Sequence, residues 1–299
     1  MQRIVRYALI DLLNRTAAVK EVSAGQFGCW SLHFEEMRFL WELDPEAVAF
    51  STGPLTGTGV PGSGAMVWSC LRRGAVHHAA AEGRFGAALR CAGIDMLFIT
   101  GSSPQPLRLR ICQGEITFEN PVGNASSLLA VRRFEDAALL TVSRESVTED
   151  RCFVIAGEYI AQRLLNKGIC AVIAEGDGAI PLADSRRFTP LCVELWQEAI
   201  RSRNLPQSGR SRPVRFLSAG CPVSPEAPAS SPFDGGGDPV FAALGVAWNK
   251  TGFSASKPKQ RLAQLLTACL GEPCTPEELT ALSKHLKALE RRNLTRGTV

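Results

Sequence analysis

Residue patterns that mark several common catalytic sites are missing from this chain of 299 residues. It has no Gly-x-Ser-x-Gly nucleophile turn, no Walker loop and no Rossmann fingerprint that opens a helix. Its ten cysteines form no Cys-x-x-Cys pair, and no histidine lies at metal-ligand spacing from a cysteine. The sequence therefore gives no support for a serine hydrolase, a P-loop enzyme, a Rossmann dehydrogenase or a structural zinc site.

Strong charge and long apolar runs are missing as well. Lys and Arg number 33 against 29 Asp and Glu, and a surplus of +4 predicts no special affinity for nucleic acid. The basic residues between 201 and 215 are typical of a solvated linker. No apolar run is long enough to span a bilayer, and the N-terminal stretch lacks a signal-peptide cleavage site. We therefore expect a cytoplasmic protein without a membrane span.

The cysteines are spread along the whole chain, which favours free thiols over a disulfide scaffold. Small disulfide-rich domains are shorter and denser in cysteine. A hydrophobic content of 45% over this length is enough for a sizeable core. The pattern predicts thiols in a reducing compartment, most of them buried as small hydrophobic side chains.

Strand and turn patterns dominate the chain up to residue 120. RIVRYALIDL and AAVKEV predict a hairpin, AVAFST and GAMVWSCL predict strands, and LRLRICQGEITFEN predicts a hairpin with a Gln113–Gly114 turn. Short helices are expected over 35–43 and 83–93. Longer elements follow, with helices over 126–140, 157–167 and 179–203 and strands over 151–157 and 169–176. This mixture predicts an α+β fold.

Composition changes after residue 204. Residues 205–238 are rich in Pro, Ser and Gly, which is typical of a linker. A helix follows in TPEELTALSKHLKALERR, where Thr275 and Glu278 have the spacing of a capping box. Its apolar stripe consists of Leu279, Leu282, Leu286 and Leu289. Such a stripe packs within its own chain more often than against another subunit. We expect a domain over 1–204, a linker over 205–238 and a helical segment over 239–299.

The most distinctive stretch is FSTGPLTGTGVPGSG, residues 50–64. Such a run suits a loop whose backbone approaches a flat or anionic group, and it also suits an ordinary turn between strands. Its part GPLTGTGVPGSG resembles the signature loop of the aldehyde ferredoxin oxidoreductase family, which are tungsten- or molybdenum-pterin enzymes. Further stretches resemble later blocks of that family in the same order: 84–116, 156–158, 166–188 and 265–297.

This resemblance implies an α+β N-terminal domain with two β-rich halves, whose saddle seats a bis-pterin cofactor below two helical domains. It also implies oxidation of aldehydes to carboxylic acids, with two electrons passed to ferredoxin through a [4Fe–4S] cluster. The residues of this chain that would hold the molybdopterin or tungstopterin are Thr56, Gly57, Gly62, Gly64 and Gly83.

The chain departs from the family pattern at the cofactor anchors. Ala65 replaces the arginine that follows the loop in the family, so the planar five-donor fork is missing. The family's Asn-Ser-Gly-Gly aligns with residues 80–83, where Ala80 offers no oxygen and Glu82 would repel a phosphate. Trp30 stands where the family has another arginine, and the Gly-Arg-Gly-Gly run before the strand at 169 is absent.

The iron–sulfur ligands are missing too. A cubane cluster needs four thiolates, and no Cys-x-x-Cys-x-x-x-Cys run exists in the sequence. Cys221 resembles the family's distant cluster ligand, but one ligand holds no cluster. Family members are much longer, and the segment 205–238 stands where their middle part would be.

Three other motifs were weighed as sites. His77 and His78 are read as polar loop residues, since neighbours on a strand point to opposite faces and do not chelate together. Cys29 has no evident basic neighbour that would make it reactive, so a core thiol is favoured. The stretch 233–240 has Asp and Gly but lacks the spacing of a calcium loop, which favours a linker.

Two hypotheses of function follow. The first is a non-catalytic relative with no cofactor of its own, which acts as a partner or scaffold subunit of a redox system and binds a protein partner or another copy of itself. The reason is that loss of the middle part should expose apolar surface that faces the other domains in the family. The alternative is a protein that still seats a pterin on its N-terminal domain and acts with a partner subunit in aldehyde oxidation.

Overall fold

The computed structural model describes residues 3–24, 39–72, 75–121, 137–149, 153–156, 158–201, 238–246 and 257–296. Several predictions fall outside these ranges. They include nearly all of the linker at 205–238, Cys29, Trp30 and Cys221, and most of the helix expected over 126–140.

The described chain forms twelve strands and six labelled helices. The strands are β1 (Arg3–Asp11), β2 (Thr16–Ala24), β3 (Val48–Thr52), β4 (Ala65–Arg72), β5 (Ala75–Glu82), β6 (Met96–Thr100), β7 (Leu107–Cys112), β8 (Glu115–Glu119), β9 (Ala138–Val142), β10 (Val147–Glu149), β11 (Phe153–Ala156) and β12 (Ile169–Glu175). The helices are α1 (Phe85–Cys91), α2 (Glu158–Asn166), α3 (Ser185–Arg201), α4 (Pro239–Leu244), α5 (Pro258–Leu270) and α6 (Pro276–Arg296). Residues 39–43 add a short helical turn.

The strands form two six-stranded mixed sheets, which confirms the expected α+β class with two β-rich halves. The first sheet has the order β2-β1-β6-β3-β4-β5, and the second has β11-β10-β9-β12-β7-β8. Each sheet contains one parallel pair, β1 with β6 and β12 with β7. The remaining pairs are antiparallel, including the two predicted hairpins β1–β2 and β7–β8. Strands β3 and β4, which were predicted as strands, also pair antiparallel.

Two predictions about local structure were wrong. Residues 138–140 were expected at the end of a helix, but they belong to β9, which pairs with both β10 and β12. The helical spacing of their apolar residues is equally compatible with a short buried strand, and pairing within the sheet decides. His77 and His78 were expected in a loop, yet they lie on β5, opposite Cys70 and Ser69 of β4.

One hydrophobic cluster, here the sheet cluster, joins one face of each sheet to α1 and α2. Alternate residues of the strands supply it, as Leu107, Leu109 and Ile111 do from β7. Phe50, Trp68 and Phe85 pack together at its centre, with ring centroids 4.5 and 5.8 Å from Phe50. This cluster is the core of the β-rich part of the molecule.

A second cluster, here the helix cluster, joins α3, α4, α5 and α6 to the glycine-rich loop. Leu55 and Val60 of the loop and Val67 of β4 are buried in it. They contact a set of helical side chains that includes Phe188, Leu195, Phe241, Leu244, Leu262 and Leu266. Helix α3, which lies within the domain expected over 1–204, therefore shares its core with the helices of 239–299. The domain boundaries remain a prediction.

The last helix begins as its sequence predicted. The Thr275 Oγ1 accepts the Glu278 N–H at 3.2 Å, and the Glu278 carboxylate accepts the Thr275 N–H at 2.8 Å. These two bonds form the capping box and confirm it. Leu279, Leu282 and Leu286 are buried within the chain, also as expected. The Leu289 side chain lies outside the described part of the structure.

Candidate functional site

The glycine-rich loop, residues 53–64, connects β3 to β4 and is closed by its own polar groups. The Thr56 hydroxyl accepts the Gly53 N–H at 2.8 Å and donates to the Ala65 carbonyl at 3.0 Å. The Gly57 N–H donates to the Ser63 carbonyl at 2.6 Å. Three loop glycines have positive φ angles, which glycine adopts without steric strain: Gly57 at 76°, Gly59 at 86° and Gly62 at 74°.

Those three glycines have the spacing of a dinucleotide-binding loop, but their context differs. A Rossmann loop opens a helix whose N-terminus faces the pyrophosphate. Here strand β4 follows the loop, and it pairs antiparallel with β3 along Val48–Thr52. The loop is therefore a hairpin connection, and its glycines do not direct a helix end toward a ligand.

Arg90 of α1 binds the inner side of the loop. Its Nη1 donates to the Pro54 carbonyl at 3.0 Å and to the Thr56 carbonyl at 2.6 Å. Its Nε lies 3.4 Å from the Asp95 carboxylate, and both side chains are largely buried. A guanidinium suits this position because several donors lie in one plane. The guanidinium thus satisfies two loop carbonyls, of which the Pro54 carbonyl also accepts from the Cys269 thiol at 3.6 Å.

Helix α3 binds the tip of the loop. The Trp196 Nε1 donates to the Gly59 carbonyl at 2.8 Å, and the Cys192 thiol donates to the same oxygen at 3.1 Å. Burial raises the pKa of the Cys192 thiol to about 11, so this cysteine stays a neutral donor at physiological pH.

The end of α4 covers the beginning of the loop. A Cβ atom on Gly53 would lie 2.0 Å from the Leu244 carbonyl carbon, so the two backbones are in direct contact. The Leu55 N–H donates to the Leu244 carbonyl at 2.9 Å. A Cβ atom on Gly245 would lie 2.0 Å from the Thr56 Oγ1. The close approach that the glycines permit is therefore made by another segment of this chain.

The strap, defined here as residues 176–183 between β12 and α3, covers the next part of the loop. A Cβ atom on Gly57 would lie 2.5 Å from the Ile180 Cδ1. The strap is held at one end by the Gly178 N–H, which donates to the Cys91 carbonyl at 3.1 Å. At the other end the Ala183 N–H donates to the Cys269 carbonyl at 3.0 Å.

Gly83, on the turn that follows β5, faces a carboxylate of the chain itself. A Cβ atom on Gly83 would lie 2.2 Å from the Glu149 Oε2, and Glu149 is 2% exposed. The same oxygen accepts the Arg84 N–H at 2.9 Å. A phosphate brought to this turn would meet the oxygens of a buried carboxyl group, which offer it no cation.

The positions that depart from the family pattern share one face of the β4–β5 hairpin. Ala65 pairs with Glu82, and Val67 pairs with Ala80, so the side chains of Ala65, Val67 and Ala80 point to the same side of the sheet. Val67 belongs to the helix cluster, so this side faces the C-terminal helices. Ala65 is buried, and the side chain of Glu82 lies outside the described part.

The structure brings Thr56, Gly57, Gly62 and Gly64 together in one buried loop, with Gly83 beside it through a Gly83 N–H to Gly64 carbonyl contact of 3.4 Å. It does not give them a common open surface. That they bind a cofactor remains a prediction. Among the described residues, no group of three or more His, Cys, Asp and Glu side chains is arranged to hold a metal ion.

Two cavities flank the strap. The smaller, of about 290 Å³, reaches the loop at Gly57 and Thr58 and is also lined by Arg84 and Asp177. The larger, of about 520 Å³, lies between the N-terminal end of β1 and the end of α5. Known small-molecule pockets are mostly about 300–1,000 Å³, so the larger one has the volume of a ligand site.

Sequence reasoning missed the residues that close the loop. Arg90, Glu149, Ile180 and Trp196 stand far from the loop in sequence, and none belongs to a motif. Only Arg90 could have been noticed in the sequence, because an arginine in the last turn of a short apolar helix needs a partner for its charge. The identity of that partner depends on the tertiary fold.

Comparison with known proteins agrees with this architecture. Residues 8–129 match the family model for the aldehyde ferredoxin oxidoreductase N-terminal domain. The chain is similar to the tungsten-containing aldehyde ferredoxin oxidoreductase of Pyrococcus furiosus, with 24% identity over 192 residues, covering 57% of this chain and 31% of that protein. The enzyme of the same name from Thermococcus kodakarensis is 24% identical over 210 residues, covering 60% of this chain and 34% of that protein. The chain thus spans about a third of the length of these relatives.

A solved structure shows the same fold at lower identity. It is the active site complex BamBC of benzoyl coenzyme A reductase in complex with 1,5-dienoyl-CoA, with a TM-score of 0.53 and 17% identity. The match covers 69% of this chain and 36% of that chain. Residues 8–129 of this chain are therefore similar to the N-terminal domain of the aldehyde ferredoxin oxidoreductases.

Proposed function

We propose that this chain is a non-catalytic member of its family, in which the glycine-rich loop serves packing and no longer seats a tungstopterin. The observation that carries the proposal is the use of the loop by its own chain. Carbonyls of the loop accept bonds from Arg90 and Trp196, while Gly53 and Gly57 contact Leu244 and Ile180. A bis-pterin with its phosphates would have to displace α4 and the strap.

Electrostatics point the same way. Ala65 stands where the resemblance places a phosphate-binding arginine, and Arg90 is engaged with two loop carbonyls and Asp95. Glu149 adds a buried carboxylate at Gly83. The residues at this site therefore do not fit a dianionic group.

The proposal includes a role as partner subunit of a redox system in the cytoplasm. The apolar residues of the loop, Leu55 and Val60, are covered by the helix cluster. A partner would therefore use another surface. Leu13 and Leu43 are both 68% exposed, and Gly101 links their segments through contacts with Leu13 and with Asp44. Exposed apolar side chains that lie together often mark an interface.

Other observations support the partner role and the compartment. The structural neighbour is part of the active site complex BamBC of benzoyl coenzyme A reductase, so this fold occurs within a complex there. All seven cysteines in the described ranges are free thiols, which suits a reducing compartment. None of the described helices is both long and apolar enough to cross a membrane.

The test is elemental and pterin analysis of the protein purified from its native host, together with its mass by light scattering. We expect no stoichiometric tungsten or molybdenum, no fluorescent pterin after oxidation, and a defined complex heavier than one chain. Stoichiometric pterin would refute the packing role of the loop. A monodisperse monomer that no other protein accompanies would refute the partner role alone.

The alternative, a pterin-containing protein that acts with a partner in aldehyde oxidation, rests on one feature. The cavity of about 290 Å³ reaches Gly57 and Thr58, so a ligand could touch the loop there. Its volume lies at the lower end of the range for single small molecules. The same pterin analysis decides between the two functions.

A further inference from the structure

The larger cavity carries a binding-site proposal that goes beyond the proposed function. It lies where three parts of the molecule meet: the N-terminal end of β1, the C-terminal end of α1 and the end of α5, with the strap along one side. Junctions of this kind are common places for ligand sites. Its volume of about 520 Å³ suits one small organic molecule.

The walls of this cavity are mainly apolar. Ile4, Pro54, Ile180, Leu182 and Leu270 line it, and Ile4 is 59% exposed. Ile4 and Arg6 are two residues apart on β1 and therefore point to the same side of the sheet. An exposed apolar side chain and a cation therefore lie next to each other on one wall of the cavity.

The terminal nitrogens of Arg6 lie against the backbones of Gly93 and Gly114. A Cβ atom on Gly93 would lie 2.9 Å from its Nη1, and one on Gly114 would lie 3.1 Å from its Nη2, so only glycines leave room for the guanidinium. Its Nε pairs with Glu21 at 3.2 Å, and its side chain is 40% exposed. Within the described ranges, Nη1 and Nη2 of Arg6 make no hydrogen bond, so the fork is available to a ligand.

The other charges at the cavity are Arg90, Asp95 and Glu272. Arg90 and Asp95 pair with each other, and the Asp95 Oδ2 also accepts the Arg6 backbone N–H at 3.1 Å. Glu272 stands on the opposite wall, after α5, and it has interactions of its own. Arg6 is thus the cation in this cavity whose donors remain for an incoming anion.

We propose that this cavity binds a small organic monocarboxylate, with the carboxylate on the Arg6 Nη1 and Nη2 and an apolar body between Ile4, Leu182 and Leu270. A guanidinium fork matches the two oxygens of a carboxylate, and such charge-assisted bonds are stronger than neutral ones. The apolar walls favour an alkyl or aryl body over a sugar or an amino acid.

The test measures the binding of hexanoate to the full chain by calorimetry and by the shift of the melting temperature. We expect hexanoate to bind in the millimolar range or tighter. Hexanamide lacks the charge and should bind at least about tenfold more weakly, because it loses the charge-assisted bonds to the guanidinium. Equal binding of hexanoate and hexanamide, or no binding of hexanoate, would overturn the proposal.

Variants locate the site. Arg6→Gln keeps the backbone bond to Asp95 and should weaken hexanoate about tenfold by the same reasoning. Arg144→Gln, an exposed arginine far from the cavity in the fold, is the matched control and should leave binding unchanged. Ala179→Trp should fill the cavity from the strap and abolish binding without a change of charge.

The result of the hexanoate experiments does not depend on whether the glycine-rich loop binds a cofactor. If Arg6→Gln folds and binds hexanoate as tightly as the unchanged chain, the assignment of the site is wrong. Circular dichroism checks the fold of each variant, and Ala179→Trp gives an independent result if Arg6→Gln fails to fold. Pterin analysis, by contrast, tests the proposed function and is unaffected by this experiment.

Discussion

The two hydrophobic clusters use glycine in different ways. In the sheet cluster, strands meet through alternate side chains, and glycine has little part apart from Gly86 in α1. In the helix cluster, a helix end touches the backbone of a loop directly at Gly53. The comparison teaches that a loop suited to close approach by a ligand is equally suited to close approach by a helix. Which of the two occupies it depends on the residues that surround the loop.

The largest effect is expected for Phe241→Ala, which removes a large buried side chain of the helix cluster. Truncation of a buried phenylalanine lowers the free energy of unfolding by about 3–5 kcal/mol. Amide hydrogen exchange should speed up in the loop and α4, while β1 and β6 keep their protection. Phe85→Ala in the sheet cluster is the matched variant and should speed exchange in both clusters. Loss of protection in β1 and β6 of Phe241→Ala would contradict the separation of the clusters.

Arg90→Met tests the contact between the clusters. The change leaves the Pro54 and Thr56 carbonyls without their donor and Asp95 without its cation. Removal of one partner from a buried ion pair lowers the free energy of unfolding by about 3 kcal/mol. Urea denaturation measures it, with Arg144→Met as the exposed control that should change little. A loss in Arg90→Met no greater than in the control would show that the guanidinium does not support the loop.

Gly53→Ala tests the helix end against the loop. Its Cβ would lie 2.0 Å from backbone of Leu244, which cannot move as a side chain can. We expect the free energy of unfolding of Gly53→Ala to fall by about 2 kcal/mol, which is typical of overpacked sites. Gly86→Ala is the counterpart in the sheet cluster. Its Cβ would meet the Thr56 Cγ2 at 3.1 Å, and the gain in helix propensity of about 1 kcal/mol offsets that strain. Thermal unfolding measures the difference. A lower melting temperature for Gly86→Ala than for Gly53→Ala would contradict this difference between the two clusters.

A smaller effect is expected from acid at Asp238, the N-cap of α4. Burial alone would raise the pKa of this carboxyl, but bonds from Lys259, Ser283 and the Val240 N–H outweigh burial and hold it below 3.8. Because the pKa is lower in the folded state, the stabilisation is present above the unfolded value and is lost as the pH falls through the folded one. In Asp238→Asn, the free energy of unfolding should therefore fall less at acid pH than in the unchanged protein, by about 1 kcal/mol. An acid limb identical to that of the unchanged protein would count against the cap.

The smallest expected change concerns thiol chemistry in the helix cluster. Burial raises the pKa of Cys274 to about 12, with a further contribution from Glu278, and that of Cys192 to about 11. Since the thiolate is the reactive form, both should resist iodoacetamide at neutral pH until the protein is unfolded. Mass spectrometry of the alkylated peptides measures this. Rapid labelling of either cysteine in the folded chain would show that this region opens readily.

The sequence predicted much of the fold because strand alternation and capping are local signals. The hairpins at 3–24 and 107–119 and the capping box at Thr275 were confirmed. The strand at 138–142 was missed because a short run with four apolar residues fits a helix as well as a strand. Only its pairing with β12 distinguishes the two.

The environment of the loop could be predicted only in part. The replacement of an arginine by Ala65 is visible in the sequence and indicated a weakened anion site. That α4, the strap and Glu149 would fill the space around the loop is decided by contacts between residues far apart in the chain. Such contacts leave no periodicity or motif from which they could be read.

The most direct test of the packing role is the hydrogen-exchange rate of the Leu55 amide, which donates to the Leu244 carbonyl across the loop–helix contact. If the helices cover the loop in solution, this amide should exchange as slowly as the amides of α5, and only by opening of the helix cluster. Exchange as fast as in an exposed turn would contradict the account, because it would show a loop that stands open to a ligand.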